Sequence, residues 1–161
     1  LLVVSGGDIK MQKSSFEDLQ VFQLAEKLAD IIWDMVISWS YFEKDTLGKQ
    51  IIRSVDSIGA NIAEGAGRHN YQDNQRFVKI ARGSLHETKY WLKRAYSRKL
   101  MTNEQLNRLE PIINDLSPKL NAYLNYLDKA AKTQKQNNIH QPPTTVETRL
   151  IASLQQLTTN H

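Results

Sequence analysis

Between Phe16 and Ala130, apolar residues recur at spacings of three and four in four successive stretches. No alternating pattern of useful length interrupts them. That period is the signature of helices with one buried face. The first stretch predicts a helix from Asp18 to Trp39, with Val21, Phe22, Leu24, Ala25, Leu28, Ile32, Met35, Val36 and Trp39 inward. Its outward face carries Glu26, Asp30 and Asp34 at a spacing of four. The second predicts a helix from Asp45 to Ala63, with Leu47, Ile51, Val55, Ile58 and Ile62 as its stripe. It stops at Gly65-Ala66-Gly67, and glycine suits the left-handed position just past a helix end.

The third stretch opens at Asn70, with Asp73 at cap spacing, and runs to Lys99. Its expected core face holds Phe77, Ile80, Ala81, Ser84, Leu85, Thr88, Trp91, Leu92 and Ala95. The fourth begins with Thr102 and Gln105 in a capping box. Leu106, Leu109, Ile113, Leu116, Leu120, Tyr123, Leu124 and Leu127 then mark a buried face. Pro111 and Pro118 fall inside this pattern, and each is expected to kink or break the helix. The three connections are short, which favours antiparallel neighbours. The prediction is an all-α, up-down-up-down four-helix bundle over residues 16–130.

The flanks read differently. Residues 1–15 are expected to be a disordered arm. The opening Leu1-Leu2-Val3-Val4 is too short, and lacks the basic lead, for a signal peptide. Met11 is the first methionine, so residues 1–10 are equally readable as native or as sequence upstream of it. From residue 131 to 161, Gln, Asn and Thr dominate, which reads as a polar tail. Within it, Thr144, Glu147, Val146, Leu150, Leu154 and Leu157 allow one short helix over 145–157.

Composition removes several kinds of chemistry. The chain has no cysteine. Disulfides, thiolate metal sites and a cysteine nucleophile are therefore excluded, and a reducing, cytoplasmic location is expected. No apolar run approaches the length of a membrane span. No Glu has His three residues later, so the metal-binding pairs of carboxylate-bridged bundles are missing. Gly65-Ala66-Gly67 follows a helix and not a strand, which rules out a nucleotide-binding loop. We expect no catalytic site, no metal and no cofactor.

Charge changes the picture more. The net charge is only +4. Residues 51–100 nevertheless hold ten Lys/Arg against four Asp/Glu, while the remainder holds eleven against thirteen. On the third helix, Arg76, Lys79, Arg82, His86, Lys89, Lys93 and Arg94, with Tyr90 among them, gather opposite the expected core face. Lys79, Arg82, His86, Lys89 and Lys93 follow at steps of 3, 4, 3 and 4, a ridge about 21 Å long. Three readings compete for this face. It is a solvated helix surface, a contact for a neighbouring subunit's acidic ridge, or a phosphate-binding surface. The third is our main expectation, with RNA or another nucleic acid as partner. Lys and Arg bind phosphates by releasing counterions, and Tyr90 or His86 suits stacking on an unpaired base. A protein partner docking on the same basic face is the alternative.

Two runs carry a family resemblance. One is Gln50-Ile51-Ile52-Arg53-Ser54-Val55-Asp56-Ser57-Ile58-Gly59-Ala60-Asn61-Ile62-Ala63-Glu64-Gly65, followed by Gly67-Arg68. The other is Arg76-Phe77-Val78-Lys79-Ile80-Ala81-Arg82-Gly83-Ser84-Leu85-His86-Glu87. With Phe16-Glu17-Asp18-Leu19 and Val21, they resemble the four-helix-bundle proteins encoded by intervening sequences in bacterial 23S ribosomal RNA genes. The resemblance spans residues 16–128. It implies a left-handed bundle and a homo-oligomeric ring, commonly a pentamer. It also implies similarity to the accessory proteins of diversity-generating retroelements, which bind nucleic acid and a reverse transcriptase. The signature often has Pro where this chain has Gly59, which implies a straighter second helix.

Within the signature, Arg53, Ser57, Asn61, Glu64 and Arg68 follow at steps of three or four, beside Gly65. A structural role for them is favoured. Asn61 and Glu64 would hold the glycine turn and a subunit contact through hydrogen bonds. The functional alternative has Arg53 and Arg68 contacting phosphate beside the basic ridge.

Overall fold

The structure, a computed structural model, describes residues 2–5, 8–11 and 16–139, and only the backbone of 2–5, 8–11 and 137–139. The expected short helix over 145–157 lies outside the described residues. Within the stretch read as an arm, β1 (Leu2–Ser5) pairs antiparallel with β2 (Asp8–Met11), in a register from Leu2↔Met11 to Ser5↔Asp8.

The body is an all-α, up-down four-helix bundle. Its elements are α1 (Gln20–Ile37), the short α2 (Tyr41–Glu43), a π-helical turn (Lys44–Gly48), α3 (Lys49–Ala66), α4 (Tyr71–Ser97) and α5 (Asn103–Ile139). Helix α1 packs against α3 and α5, and α4 packs against the same two. The core is built from the predicted stripes. Leu28 and Ile32 of α1 are fully buried with Ile51, Val55, Ile58 and Ile62 of α3 and Leu109, Leu116 and Leu120 of α5.

Local chemistry explains the ends. Asn70 Oδ1 accepts from the Asp73 backbone N–H at 2.7 Å and caps α4. The Thr102 box closes in both directions. Thr102 N donates to Gln105 Oε1 at 2.9 Å, and Gln105 N donates to Thr102 Oγ1 at 3.2 Å. At the exit of α4, Lys99 takes φ 59°, and Leu100 N reaches back to the Ala95 carbonyl at 3.0 Å. This is a left-handed helix stop made by a lysine where glycine is usual.

Glycine acts elsewhere, by omission of a side chain. A β-carbon on Gly48 would lie 2.9 Å from Val36 Cγ1. Its absence lets the π-helical turn settle on α1, with Leu47 buried. One on Gly65 would lie 2.7 Å from Asn74 Oδ1 and 3.0 Å from Phe77 Cβ. Gly67, by contrast, has φ −76° and is not left-handed. The expected role for the glycine turn is therefore corrected: close approach of α3 to α4 requires Gly65, and no glycine there needs positive φ.

Helix α5 departs from expectation twice. It runs on through Pro111 and Pro118, so of the expected kink or break the break does not occur. Both prolines are exposed, as are Asn107 and Asn114, whose carbonyls lose their helical donors. Water can satisfy those carbonyls, so the cost stays outside the core. The helix also continues to Ile139, into the stretch read as tail. Lys132 pairs with Asp128 at 2.6 Å, one turn back, and Thr133 Oγ1 donates to the Lys129 carbonyl at 3.1 Å.

Candidate nucleic-acid interface

The rotation of α4 about its own axis decides which side chains reach solvent. Its buried residues are Asn74, Val78, Ala81, Ser84, Leu85, Thr88, Leu92 and Ala95. Val78, absent from the expected face, is fully buried, while Ile80 is 45% exposed. Phe77 and Trp91 are only half-buried. The physical reason is a seam of small polar residues between α3 and α4. Thr88 Oγ1 donates to Ser54 Oγ at 3.0 Å, and Ser84 Oγ donates to Ser57 Oγ at 3.0 Å. Small side chains at the seam push the bulky rings to its margin.

This rotation turns the basic ridge toward α5. Arg82 Nη1 reaches Asn121 Oδ1 at 3.4 Å, and Lys89 Nζ donates to Ser117 Oγ at 2.6 Å. Lys79 Nζ donates to Gln75 Oε1 at 3.3 Å, and Gln75 Nε2 reaches Asp128 Oδ1 at 3.4 Å. The partners of Arg82 and Lys89 on α5 are neutral. Among the described residues, the ion pairs join Lys49 to Asp45, Arg68 to Glu64, Lys119 to Asp115 and Lys132 to Asp128. None of them engages Arg76, Lys79, Arg82, Lys89, Lys93 or Arg94. Asp128 feels the ridge electrostatically: its carboxyl is held below its usual range first by the hydrogen bond from Lys132, with a smaller contribution from the Lys79 charge.

The eight candidate residues do not all share one flank. Lys79, Arg82, His86, Lys89 and Lys93 form the ridge beside α5. Arg76 and Arg94 lie about 100° around the helix from its centre, toward α3. Tyr90 is exposed between the two groups, with its ring edge-on to Trp91 at 4.8 Å. Glu87, the lone acid of this helix face, accepts from Trp91 Nε1 at 3.1 Å.

The signature residues sit on the other flank of α4. Asn61 Nδ2 donates to the Ser57 carbonyl at 2.7 Å and to Ser57 Oγ at 3.0 Å. Glu64 pairs with Arg68, whose guanidinium stacks 4.7 Å from the centre of the Phe77 ring. Arg53 is exposed at the rim of a groove with Trp33 and Ile37. Arg53 and Arg68 are therefore not beside the ridge. Gly65 meets Asn74, whose Nδ2 donates to Tyr123 Oη at 3.1 Å. Burial raises the Tyr123 hydroxyl pKa, and the Asn74 hydrogen bond opposes that rise.

Sequence reasoning about α4 alone missed the second wall of the groove beside the ridge. Asn114, Ser117 and Asn121 of α5 line the groove beside the ridge, at helical spacing. Their polar period was the available signal. At the far end of the groove lies a hollow of about 400 Å³ between α4 and α5.

On the opposite side of the bundle, Glu26 and Asp30 of α1 face Asp56 of α3 across a groove. Burial, and then the Asp30 charge, raise the Asp56 carboxyl above its ordinary value. No group of three or more metal-ligating side chains is placed to hold a metal ion among the described residues. No helix among them is long and apolar enough to cross a membrane.

The fold defines a small all-α, four-helix-bundle protein. The match of residues 17–122 to the family described as 23S rRNA-intervening sequence protein is more specific, and the chain belongs to that family. No curated protein matches it. Among solved structures, it is similar to a protein of unknown function from the S23 ribosomal protein family of Bacteroides thetaiotaomicron. The two are 26% identical with a TM-score of 0.58, over 65% of this chain and 97% of the other.

Proposed function

We propose that the protein is a non-enzymatic, oligomeric RNA-binding protein that holds phosphates along the α4 ridge. The supporting observation is the row Lys79, Arg82, His86, Lys89 and Lys93, exposed or half-buried and, among the described residues, without an ion-paired carboxylate. Cations not paired with a carboxylate keep mobile counterions, and exchanging these for a phosphate releases charge to solution and drives binding. Contacts of this kind bind backbone and read sequence poorly. A ring of copies would set several ridges side by side and multiply a weak contact through effective concentration.

The test is equilibrium binding of structured and single-stranded RNA at low salt. Lys79→Glu with Arg82→Glu should weaken binding severalfold. Lys44→Glu with Lys49→Glu, on the other side of the bundle, should change it little. Absence of binding at low salt would overturn the proposal.

A second reading has its own support. Trp33, Ile37, Tyr41 and Phe42 are all more than half exposed near one end of the bundle. Exposed apolar residues in such numbers mark protein contacts. This reading makes the protein an interaction scaffold or a reverse-transcriptase accessory subunit. Co-purification of a protein partner without nucleic acid would favour it.

A further inference from the structure

We propose that the groove between α4 and α5 takes a single strand of nucleic acid, with one unstacked base seated in the apolar hollow beside Lys89 and Lys93. This inference rests on the RNA reading above and names the form of the ligand and a site for its base.

The hollow joins an apolar interior to a charged mouth. Buried Leu92, Met101 and Leu109 form its floor, and Leu106, Ile113 and Tyr96 its walls. Its volume of about 400 Å³ is in the range of small-molecule sites, which are mostly apolar with a few placed polar groups. A nucleobase matches that description, with two apolar faces and a polar edge. Tyr96 supplies an aromatic surface for one face. Its hydroxyl donates to Asn103 Oδ1 at 3.0 Å, which fixes the ring.

The mouth carries opposite chemistries on its two sides. On α4 stand Lys89 and Lys93, the last two cations of the ridge. A phosphate chain that follows Lys79 and Arg82 therefore arrives at the opening. On α5 stand Glu110 and Asn114. Asn114 can donate to or accept from a base edge, and Glu110 only accepts when ionised. Glu110 repels a phosphate from the interior and can accept from a donor on a base edge, such as an exocyclic amine.

The same geometry disfavours a duplex. Packed helices lie only about 8–10 Å apart, and a duplex keeps its bases stacked inside, away from the hollow. An alkyl chain would also fit the apolar walls. It would use one cation at the mouth and leave idle the rest of the ridge, about 21 Å long by the 1.5 Å helical rise.

The experiment uses the full chain and RNA strands of about twelve nucleotides, within the usual site sizes. Strands of cytidine or adenosine should bind about tenfold more tightly than strands with abasic positions, the scale of one seated base. Leu106→Trp, which fills the hollow, should abolish that difference, and Tyr96→Ala should reduce it. Equal affinity for abasic and intact strands, still weakened by Lys79→Glu with Arg82→Glu, would overturn this inference and leave the RNA reading standing. So would tighter binding of a duplex of the same length. Absence of binding by any strand at low salt would overturn both. If decanoate displaces an apolar dye from the hollow and RNA does not, the hollow belongs to an apolar ligand and the inference fails.

Discussion

Gly65 and Asn74 touch where α3 hands over to α4: a β-carbon on Gly65 would stand 2.7 Å from Asn74 Oδ1. That oxygen is buried and accepts no conventional hydrogen bond. The other end of the amide holds Tyr123 of α5. One glycine thus links the seating of three helices. Gly65→Ala should displace Asn74 and cost about 1–3 kcal/mol, the usual range for overpacking. Thermal or urea unfolding of the variant measures it.

Gly83 gives the opposite sign. It lies in the middle of α4, and a β-carbon there would meet nothing within 4 Å. Gly83→Ala should stabilise the fold by about 0.5–1 kcal/mol, because alanine restricts the unfolded chain and propagates the helix better. The same unfolding experiment distinguishes the two glycines. A loss of stability at Gly83 would show that the space is occupied in the assembled protein.

Lys99 holds a left-handed conformation that L side chains disfavour. Lys99→Gly should raise stability by up to about 1 kcal/mol, with the gain reduced by the greater freedom of the unfolded chain. The expected readout is a small rise in denaturation midpoint with an unchanged slope.

Asp56 sets a pH dependence. Its pKa is raised above 3.8, first by burial and then by the Asp30 charge. A carboxyl with a folded pKa above its unfolded value destabilises the fold once pH exceeds the folded pKa. That penalty vanishes as pH falls below the unfolded pKa. Asp56→Asn should therefore raise the Tm at pH about 7 relative to the parent, and the difference should close at pH about 3. Paired melting curves across that window check the sign.

Much of the fold was legible because it is local. The stripes of α1, α3 and α5, the Asn70 cap and the Thr102–Gln105 box all follow from spacing within one helix. The continuity of α5 through Pro111 and Pro118 was not, since it depends on both prolines facing water. The rotation of α4 was hidden for a similar reason. Its pattern admits Phe77, Ile80 and Trp91 as core, and only the Ser54–Thr88 and Ser57–Ser84 seam selects Val78 instead. The ridge from Lys79 to Lys93 was visible on a helical wheel. Its second wall, Ser117 and Asn121, needed the packing of α5.

The central claim is that the ridge binds phosphates by counterion release. The most direct measurement is the slope of log K against log salt for one RNA, in the parent and in Lys79→Glu with Arg82→Glu. We predict a steep negative slope in the parent, shallower by about two in the variant, roughly one for each phosphate that a substituted side chain no longer holds. An identical slope in the two proteins would place RNA elsewhere or nowhere on this surface and would contradict the account.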